Sequence, residues 1–202
     1  MVRKAIFGGT FDPIHKGHIN VAYDALNIFN LDKVIFVPAG NPPHKLGIDK
    51  TDSNIRYKMV NMAISKEKDF EVSDYEIKNK DISYTYKTLR YFNELEPLTE
   101  WYFITGEDCF SYLEKWKNIE EIFNRCKFVV FRRQEFENKS EIIHKRENII
   151  KKYTDKILFI DKPILNISST KIRKCVRENK EIYDYVPMEV YDFIAQNNLY
   201  KK

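Results

Sequence analysis

The sequence predicts an α/β fold, a Rossmann-like three-layer sandwich in which helices flank a parallel central sheet. Short apolar runs alternate with segments of helical periodicity, which is typical of βαβ units. Glycine-rich and polar segments directly follow several of the apolar runs, where ligands bind in such sheets. The length of 202 residues favours one domain over residues 1–202, with a helical part from about residue 169.

Six apolar runs are the predicted strands, at residues 4–7, 34–37, 70–73, 101–105, 128–131 and 157–160. Apolar residues at spacings of three and four predict helices between and after them, over about residues 19–29, 55–63, 85–95, 120–123, 140–153, 169–178 and 188–197. Ser53 is expected to cap the second of these helices.

Composition and charge narrow the class of protein. No apolar run approaches the roughly 20 residues that span a bilayer, so no membrane association is expected. The N-terminus lacks the pattern of a secretory signal, which predicts a cytoplasmic protein. The formal net charge of +4 suits a small anionic substrate, but basic and acidic residues interleave, so no nucleic-acid partner is expected. The three widely spaced cysteines indicate reduced thiols.

Residues 8–18 form the first loop, which joins the first strand to the first helix. Glycines let backbone amides approach an anion, and the helix N-terminus adds N–H donors and a partial positive charge. His15 and His18 can direct imidazole donors toward the same phosphate chain. The pattern is neither a Walker A motif nor GxGxxG, and a zinc site would lack further ligands at a sensible spacing. The loop reads Gly8-Gly9-Thr10-Phe11-Asp12-Pro13-Ile14-His15-Lys16-Gly17-His18.

Residues 167–173, Ile-Ser-Ser-Thr-Lys-Ile-Arg, form a second polar segment that follows a strand and opens a helix. A serine or threonine can cap this helix and can also donate to a phosphate oxygen. Arg173 offers a planar fork of donors that suits phosphate. Alone, such a hydroxyl cluster is more often a structural cap than a binding site.

Together these segments resemble a known family. His15-Lys16-Gly17-His18 matches the His-x-Gly-His pattern of the adenylyl- and cytidylyltransferase superfamily, and the whole first loop resembles bacterial nicotinate-nucleotide adenylyltransferases. The resemblance continues in order to Arg173, and the closing residues 197–200, Asn-Asn-Leu-Tyr, are also similar to family C-termini.

The resemblance implies an ATP site. The implied catalytic residues are His15, His18, Lys45 and Arg173, and Lys45 would close over the triphosphate from a Pro-Pro-His-Lys segment. The implied ATP-binding residues are Gly8, Gly9, Thr10, Phe11, His15, His18, Gly106, Asp108, Arg133, Ser169, Thr170 and Arg173. Gln134 stands where the family usually has proline, so the backbone path around Arg133 is not implied.

Two further segments are implied to bind the acceptor nucleotide. Ser83, Tyr84 and Thr85 match a Ser-Tyr-Thr motif that binds the nicotinate nucleotide in the family, and Lys45 is shared with this side. Trp116 matches a tryptophan whose ring stacks on nicotinate. Without the resemblance, Trp116 would be an ordinary core aromatic.

The implied reaction is direct in-line attack by nicotinate mononucleotide on the α-phosphorus of ATP, which gives nicotinate adenine dinucleotide and pyrophosphate in NAD biosynthesis. Because the nucleophile is already an anion, it needs no general base. Mg²⁺ would bridge phosphate oxygens, and no metal-binding protein residues are expected. Two alternatives stay open: an adenylyltransferase for nicotinamide mononucleotide or phosphopantetheine, and a non-catalytic nucleotide sensor. A homo-oligomer is neither predicted nor excluded.

Overall fold

A computed structural model describes residues 1–43, 50–79, 81–106, 113–131, 147, 150–160, 165 and 167–201. Within them lies one sheet of six parallel strands in the order β3–β2–β1–β4–β5–β6. The strands are β1 (Arg3–Gly9), β2 (Lys33–Pro38), β3 (Phe70–Val72), β4 (Glu100–Gly106), β5 (Lys127–Phe131) and β6 (Ile157–Ile160). All six predicted strands are confirmed, and so is the parallel α/β fold.

The helices that the structure describes are α1 (Lys16–Phe29), α2 (Ser53–Ile64), α3 (Tyr75–Lys78), α4 (Thr85–Leu95), α5 (Ile119–Arg125), α6 (Ser169–Arg177) and α7 (Met188–Gln196). The helix predicted over 140–153 lies mostly outside the described residues, although residues 150–152 are helical. None of the described helices is long and apolar enough to cross a membrane.

Two local features differ from the sequence predictions. Ser53 is the first residue of α2 and not its cap. Asp52 caps this helix because its carboxylate accepts the backbone N–H groups of Asn54 and Ile55, at 2.9 and 3.4 Å. Helix α3 was not predicted, since four residues are too short to show helical periodicity.

The three layers follow from the alternation of side chains along the strands. In β1, Ala5 and Phe7 contact one apolar cluster, which also contains buried residues of α1, α2, α6 and α7. Ile6 points to the opposite face, where buried residues of α4 and α5 form the second cluster. Apolar side chains therefore cover both faces of the sheet, as expected for a buried parallel sheet.

The strand order reverses at β1, which pairs with β2 on one side and β4 on the other. The pairing of β1 with β2 continues to Gly9 and Pro38, so the loops that follow these strands leave the sheet side by side. This position, at the carboxyl ends of the strands and at the switch in strand order, is where open α/β sheets bind ligands.

Candidate active site

The first loop is folded tightly at its start. Phe11 has a φ of 49°, and its buried ring packs edge-on against Phe7 at 5.5 Å and against His18 at 5.0 Å between ring centroids. A Cβ atom at Gly9 would lie 2.7 Å from Cζ of Phe11, which is closer than van der Waals contact allows. Glycine is therefore required at residue 9 so that the chain can fold back over this aromatic ring.

The two histidines of the first loop form a reciprocal cap at the start of α1. The backbone N–H of His18 donates to Nδ1 of His15, and the backbone N–H of His15 donates to Nδ1 of His18, each at 3.3 Å. Their rings stack with centroids 3.6 Å apart. Because each Nδ1 accepts a hydrogen bond, the neutral imidazole carries its proton on Nε2. Both side chains are thus fixed in the tautomer that makes Nε2 a donor.

Gly17 stands between the two histidines and permits their close approach. A Cβ atom there would lie 3.0 Å from Nδ1 of His15. The Gly of the His-x-Gly-His pattern is therefore explained by packing against the capping imidazole.

Helix α6 docks on the first loop and brings the second predicted segment to it. The Ser169 hydroxyl donates to the carbonyl of Pro13 at 2.9 Å, and Nη1 of Arg173 donates to the carbonyl of Asp12 at 2.7 Å. Nη2 of Arg173 also lies 3.4 Å from the hydroxyl oxygen of Thr170. The structure thus joins segments that are about 160 residues apart in the chain.

The cap of α6 is Ser168, whose hydroxyl accepts the backbone N–H of Lys171 at 3.2 Å. The hydroxyl groups of Ser169 and Thr170 are consequently not used as caps. Ser169 bonds to the first loop, and Thr170 lies beside the guanidinium of Arg173.

On the acceptor side, Ser83 is bonded to the loop that follows β2. The Ser83 N–H donates to the carbonyl of Asn41, and the Asn41 N–H donates to the Ser83 hydroxyl, both at 3.0 Å. Tyr84 precedes α4, and Thr85 is the first residue of that helix. The segment that was predicted to bind the nucleotide acceptor is therefore tied to the edge of the sheet next to the first loop.

Trp116 belongs partly to the apolar core and is partly exposed. Its ring packs edge-on against Phe103 and Phe128, with centroids at 6.0 and 5.7 Å. The neighbouring Lys117 places its ammonium 4.9 Å from the ring centroid of Tyr84. This cation–π contact joins the segment of Trp116 to the segment of residues 83–85, so two of the three predicted acceptor segments lie together.

Comparisons with known proteins agree with this geometry. A cytidylyltransferase-like family model matches residues 6–175. A probable nicotinate-nucleotide adenylyltransferase of Clostridium botulinum (strain Okra) is 62% identical over 201 residues, with full coverage of both chains. This chain belongs to the nicotinate-nucleotide adenylyltransferase family. A relative with the same description from Clostridium novyi (strain NT) is 52% identical, again over the full length of both.

Solved structures of the family share the fold. The nicotinic acid mononucleotide adenylyltransferase of Plasmodium falciparum, complexed with NaAD, is similar with a TM-score of 0.80 and 25% identity, and the match covers 99% of this chain and 98% of that one. The same protein complexed with APC gives a TM-score of 0.78.

Two residues that were not predicted from the sequence support the first loop, the partly buried Tyr200 and the buried Arg56. The first is Tyr200, whose hydroxyl donates to Oδ1 of the buried Asp12 at 2.7 Å. The backbone N–H of Thr51 lies 3.3 Å from the other carboxylate oxygen. Burial, together with the charge of Asp12, raises the pKa of Tyr200, so its hydroxyl remains a donor. The C-terminal segment thereby contacts the first loop and fixes the carboxylate of Asp12.

The second is Arg56 of α2, which is 1% exposed. Its guanidinium donates to the carbonyls of Thr10 at 2.6 Å, Ala39 at 2.7 Å and Thr51 at 2.9 Å. Burial lowers the pKa of Arg56, whereas the charge of Asp12 opposes this shift. A sequence signal existed: spacings of three and four put Arg56 on the apolar face of α2 with Met59 and Val60.

Some predicted site residues are not placed. Lys45, Asp108 and Arg133 lie outside the described residues. Gly106 ends β4, and a Cβ atom there would meet nothing within 4 Å, so no steric reason for glycine is found at that position. In the part of the chain that the structure describes, no three His, Cys, Asp or Glu side chains lie together as a metal site.

Proposed function

We propose that this chain transfers the adenylyl group of ATP to nicotinate mononucleotide, with nicotinate adenine dinucleotide and pyrophosphate as products, and so acts in NAD biosynthesis. The observation that carries the proposal is the contact between the first loop and α6. It brings Arg173 to the loop that carries His15 and His18, at the carboxyl end of β1. The full-length likeness to curated family members supports the choice of substrate.

In the proposed reaction, a phosphate oxygen of nicotinate mononucleotide attacks the α-phosphorus of ATP. The new P–O bond forms as the bond to the bridging α,β oxygen breaks, and pyrophosphate leaves with the electron pair. His18 and Arg173 would stabilise the charge that develops on the α-phosphate, because preorganised donors lower the barrier most where charge accumulates. His15, Thr170 and Lys45 would bind the β- and γ-phosphates.

The remaining predicted residues would align the two substrates. Backbone amides of Gly8, Gly9 and Thr10 would approach the nucleotide phosphates, and the start of α1 beyond them would add a partial positive charge. Ser83, Tyr84 and Thr85 would hold the acceptor, whose pyridine ring would stack on Trp116. Mg²⁺ would neutralise part of the triphosphate charge when bound with ATP. Alignment of this kind can account for a large share of rate enhancement without a covalent intermediate.

Release of pyrophosphate tests the proposal directly. The protein is incubated with ATP, Mg²⁺ and one of three acceptors: nicotinate mononucleotide, nicotinamide mononucleotide or phosphopantetheine. We expect a strong preference for the nicotinate substrate. Turnover with another acceptor alone would contradict the proposed substrate but retain the chemistry, and ATP binding without turnover on any acceptor would favour a nucleotide sensor.

A further inference from the structure

The peptide group between Ala39 and Gly40 lies between two charged side chains. Its carbonyl accepts a hydrogen bond from Nη2 of Arg56 at 2.7 Å. On its other side, Gly40 packs against Glu76, and its N–H favours the ionised form of the Glu76 carboxylate. A buried guanidinium of α2 and a carboxylate of α3 therefore flank one peptide in the loop that follows β2.

The carboxylate of Glu76 also contacts polar groups near the predicted acceptor segment. Its Oε1 accepts the Thr88 hydroxyl at 2.7 Å. Burial raises the pKa of Glu76, while polar groups of Thr88, Ser83 and Gly40 and the charge of Arg56 oppose that shift. These groups offset part of the cost of removing the carboxylate from water.

Arg56 and Glu76, together called the clamp, are connected to both halves of the candidate site. On one side, Arg56 also donates to the carbonyl of Thr10 in the first loop. On the other, residue 41 exchanges two hydrogen bonds with Ser83, which directly precedes Tyr84 and Thr85. The connection thus runs from Thr10 through Arg56 and residues 39–41 to Ser83, and Glu76 lies beside it.

Gly40 shows how closely the clamp fits. A Cβ atom on residue 40 would collide with the backbone carbonyl oxygen of Glu76. Backbone cannot move aside as a flexible side chain can, so the close approach of α3 to the loop requires glycine here.

We propose that Arg56 and Glu76 are positioning residues that fix the 39–40 peptide and thereby set the distance between the ATP loop and the acceptor-binding segment. Neither residue needs to touch a substrate for this role. The inference rests on the proposed function, because it assigns the Ser83 segment to the acceptor.

The test measures KM for each substrate separately in the full-length protein. In Glu76→Gln, an amide replaces one acceptor oxygen, so at least one buried donor loses its partner. We expect KM for nicotinate mononucleotide to rise about tenfold, as the loss of a buried hydrogen bond suggests, with KM for ATP and kcat unchanged. In Arg56→Lys, a single ammonium cannot hold both Thr10 and Ala39, so we expect KM to rise for both substrates.

The double variant adds an independent readout. The two side chains flank the same peptide, so their effects on binding should not be independent. The changes in binding free energy calculated from KM in the two single variants should therefore sum to more than the change in the double variant. Glu100→Gln is the matched control, because Glu100 also has two charged partners, Arg3 and Lys127. It is the first residue of β4 and therefore lies away from the carboxyl ends of the strands, where the candidate site is. We expect this control to leave both KM values unchanged.

If Glu76 has only a structural role, Glu76→Gln will unfold at a lower temperature, and both KM values will either stay as in the wild type or rise equally. Either result overturns the proposal. If Glu76→Gln does not fold, Glu76→Asp keeps the charge and shortens the side chain, and the same selective rise in KM is expected. Turnover of the wild-type protein tests the proposed function by itself. If the wild type prefers another acceptor, the variant-to-wild-type ratio of KM is measured with that acceptor.

Discussion

The two sides of the candidate site are built differently. On the ATP side, three backbone carbonyls of the first loop, at residues 10, 12 and 13, accept hydrogen bonds from Arg56, Arg173 and Ser169. On the acceptor side, Tyr84 and Trp116 are placed chiefly by ring contacts with Tyr86, Phe103 and Phe128 and by one lysine.

This difference suits the two tasks. Stabilising charge in a transition state requires donors at fixed positions, and small displacements are costly. An aromatic ring can be bound by stacking, which tolerates lateral shifts. We therefore expect removal of a phosphate-facing side chain such as His18 or Arg173 to lower kcat, and removal of Trp116 to raise KM for the acceptor.

The largest expected effect is at His18. His18→Asn keeps a side-chain oxygen near the position of Nδ1, which can accept the backbone N–H of His15, but removes Nε2. We expect kcat to fall by about 10²–10³, the usual loss for one preorganised donor, while thermal unfolding stays close to the wild type. Steady-state kinetics and circular dichroism measure the two quantities.

His18→Ala separates the cap from the chemistry. It removes both nitrogen atoms, so we expect the same loss of kcat together with about 1 kcal/mol of stability, as for other lost helix caps. Wild-type turnover in a folded His18→Asn protein would show that Nε2 has no role in transfer.

The next largest effect is expected on stability, where the C-terminal segment contacts the first loop through Tyr200. Tyr200→Phe removes the hydroxyl that donates to the buried Asp12 at 2.7 Å, and hydrogen bonds to charged groups contribute about 1.5–3 kcal/mol. Urea unfolding should show a loss of that size. The control is Tyr191→Phe, which removes an exposed bond to Glu181 and should change stability by less than about 0.5 kcal/mol. Equal losses in the two variants would argue against a special role of the C-terminal contact.

Two glycines that were both assigned to the ATP site offer a steric test. Ala at residue 9 would press on the buried ring of Phe11, whereas Ala at residue 106 would meet no atom within 4 Å. We expect Gly9→Ala to cost about 1–3 kcal/mol, typical of overpacking, and Gly106→Ala to have little effect on stability. If Gly106→Ala were as destabilising as Gly9→Ala, the steric explanation for glycine 9 would be wrong.

Much of the fold was predictable because it rests on local patterns. Short apolar runs located the six strands, and helical spacing located most helices. The motifs placed His15, His18 and Arg173 after strands that end at one edge of the sheet. Tyr200 was not identified because its role arises from a contact with Asp12, 188 residues away in the chain. Arg56 has a local signal, its place on the apolar face of α2, but its partners Thr10 and Ala39 follow only from the fold. Glu76 was missed for a further reason: it lies in a four-residue helix without a periodic signal.

The smallest expected effect is at Trp116, on the acceptor side. Trp116→Ala removes the predicted stacking surface for the pyridine ring, and aromatic pairs contribute about 0.5–1.5 kcal/mol beyond buried area. We therefore expect KM for nicotinate mononucleotide to rise by about two- to tenfold, with kcat and KM for ATP unchanged. Trp116→Phe keeps an aromatic ring against Phe103 and should recover most of the affinity. A fall in kcat without a change in KM would mean that Trp116 acts through the core, and the contrast between the two sides of the site would not hold there.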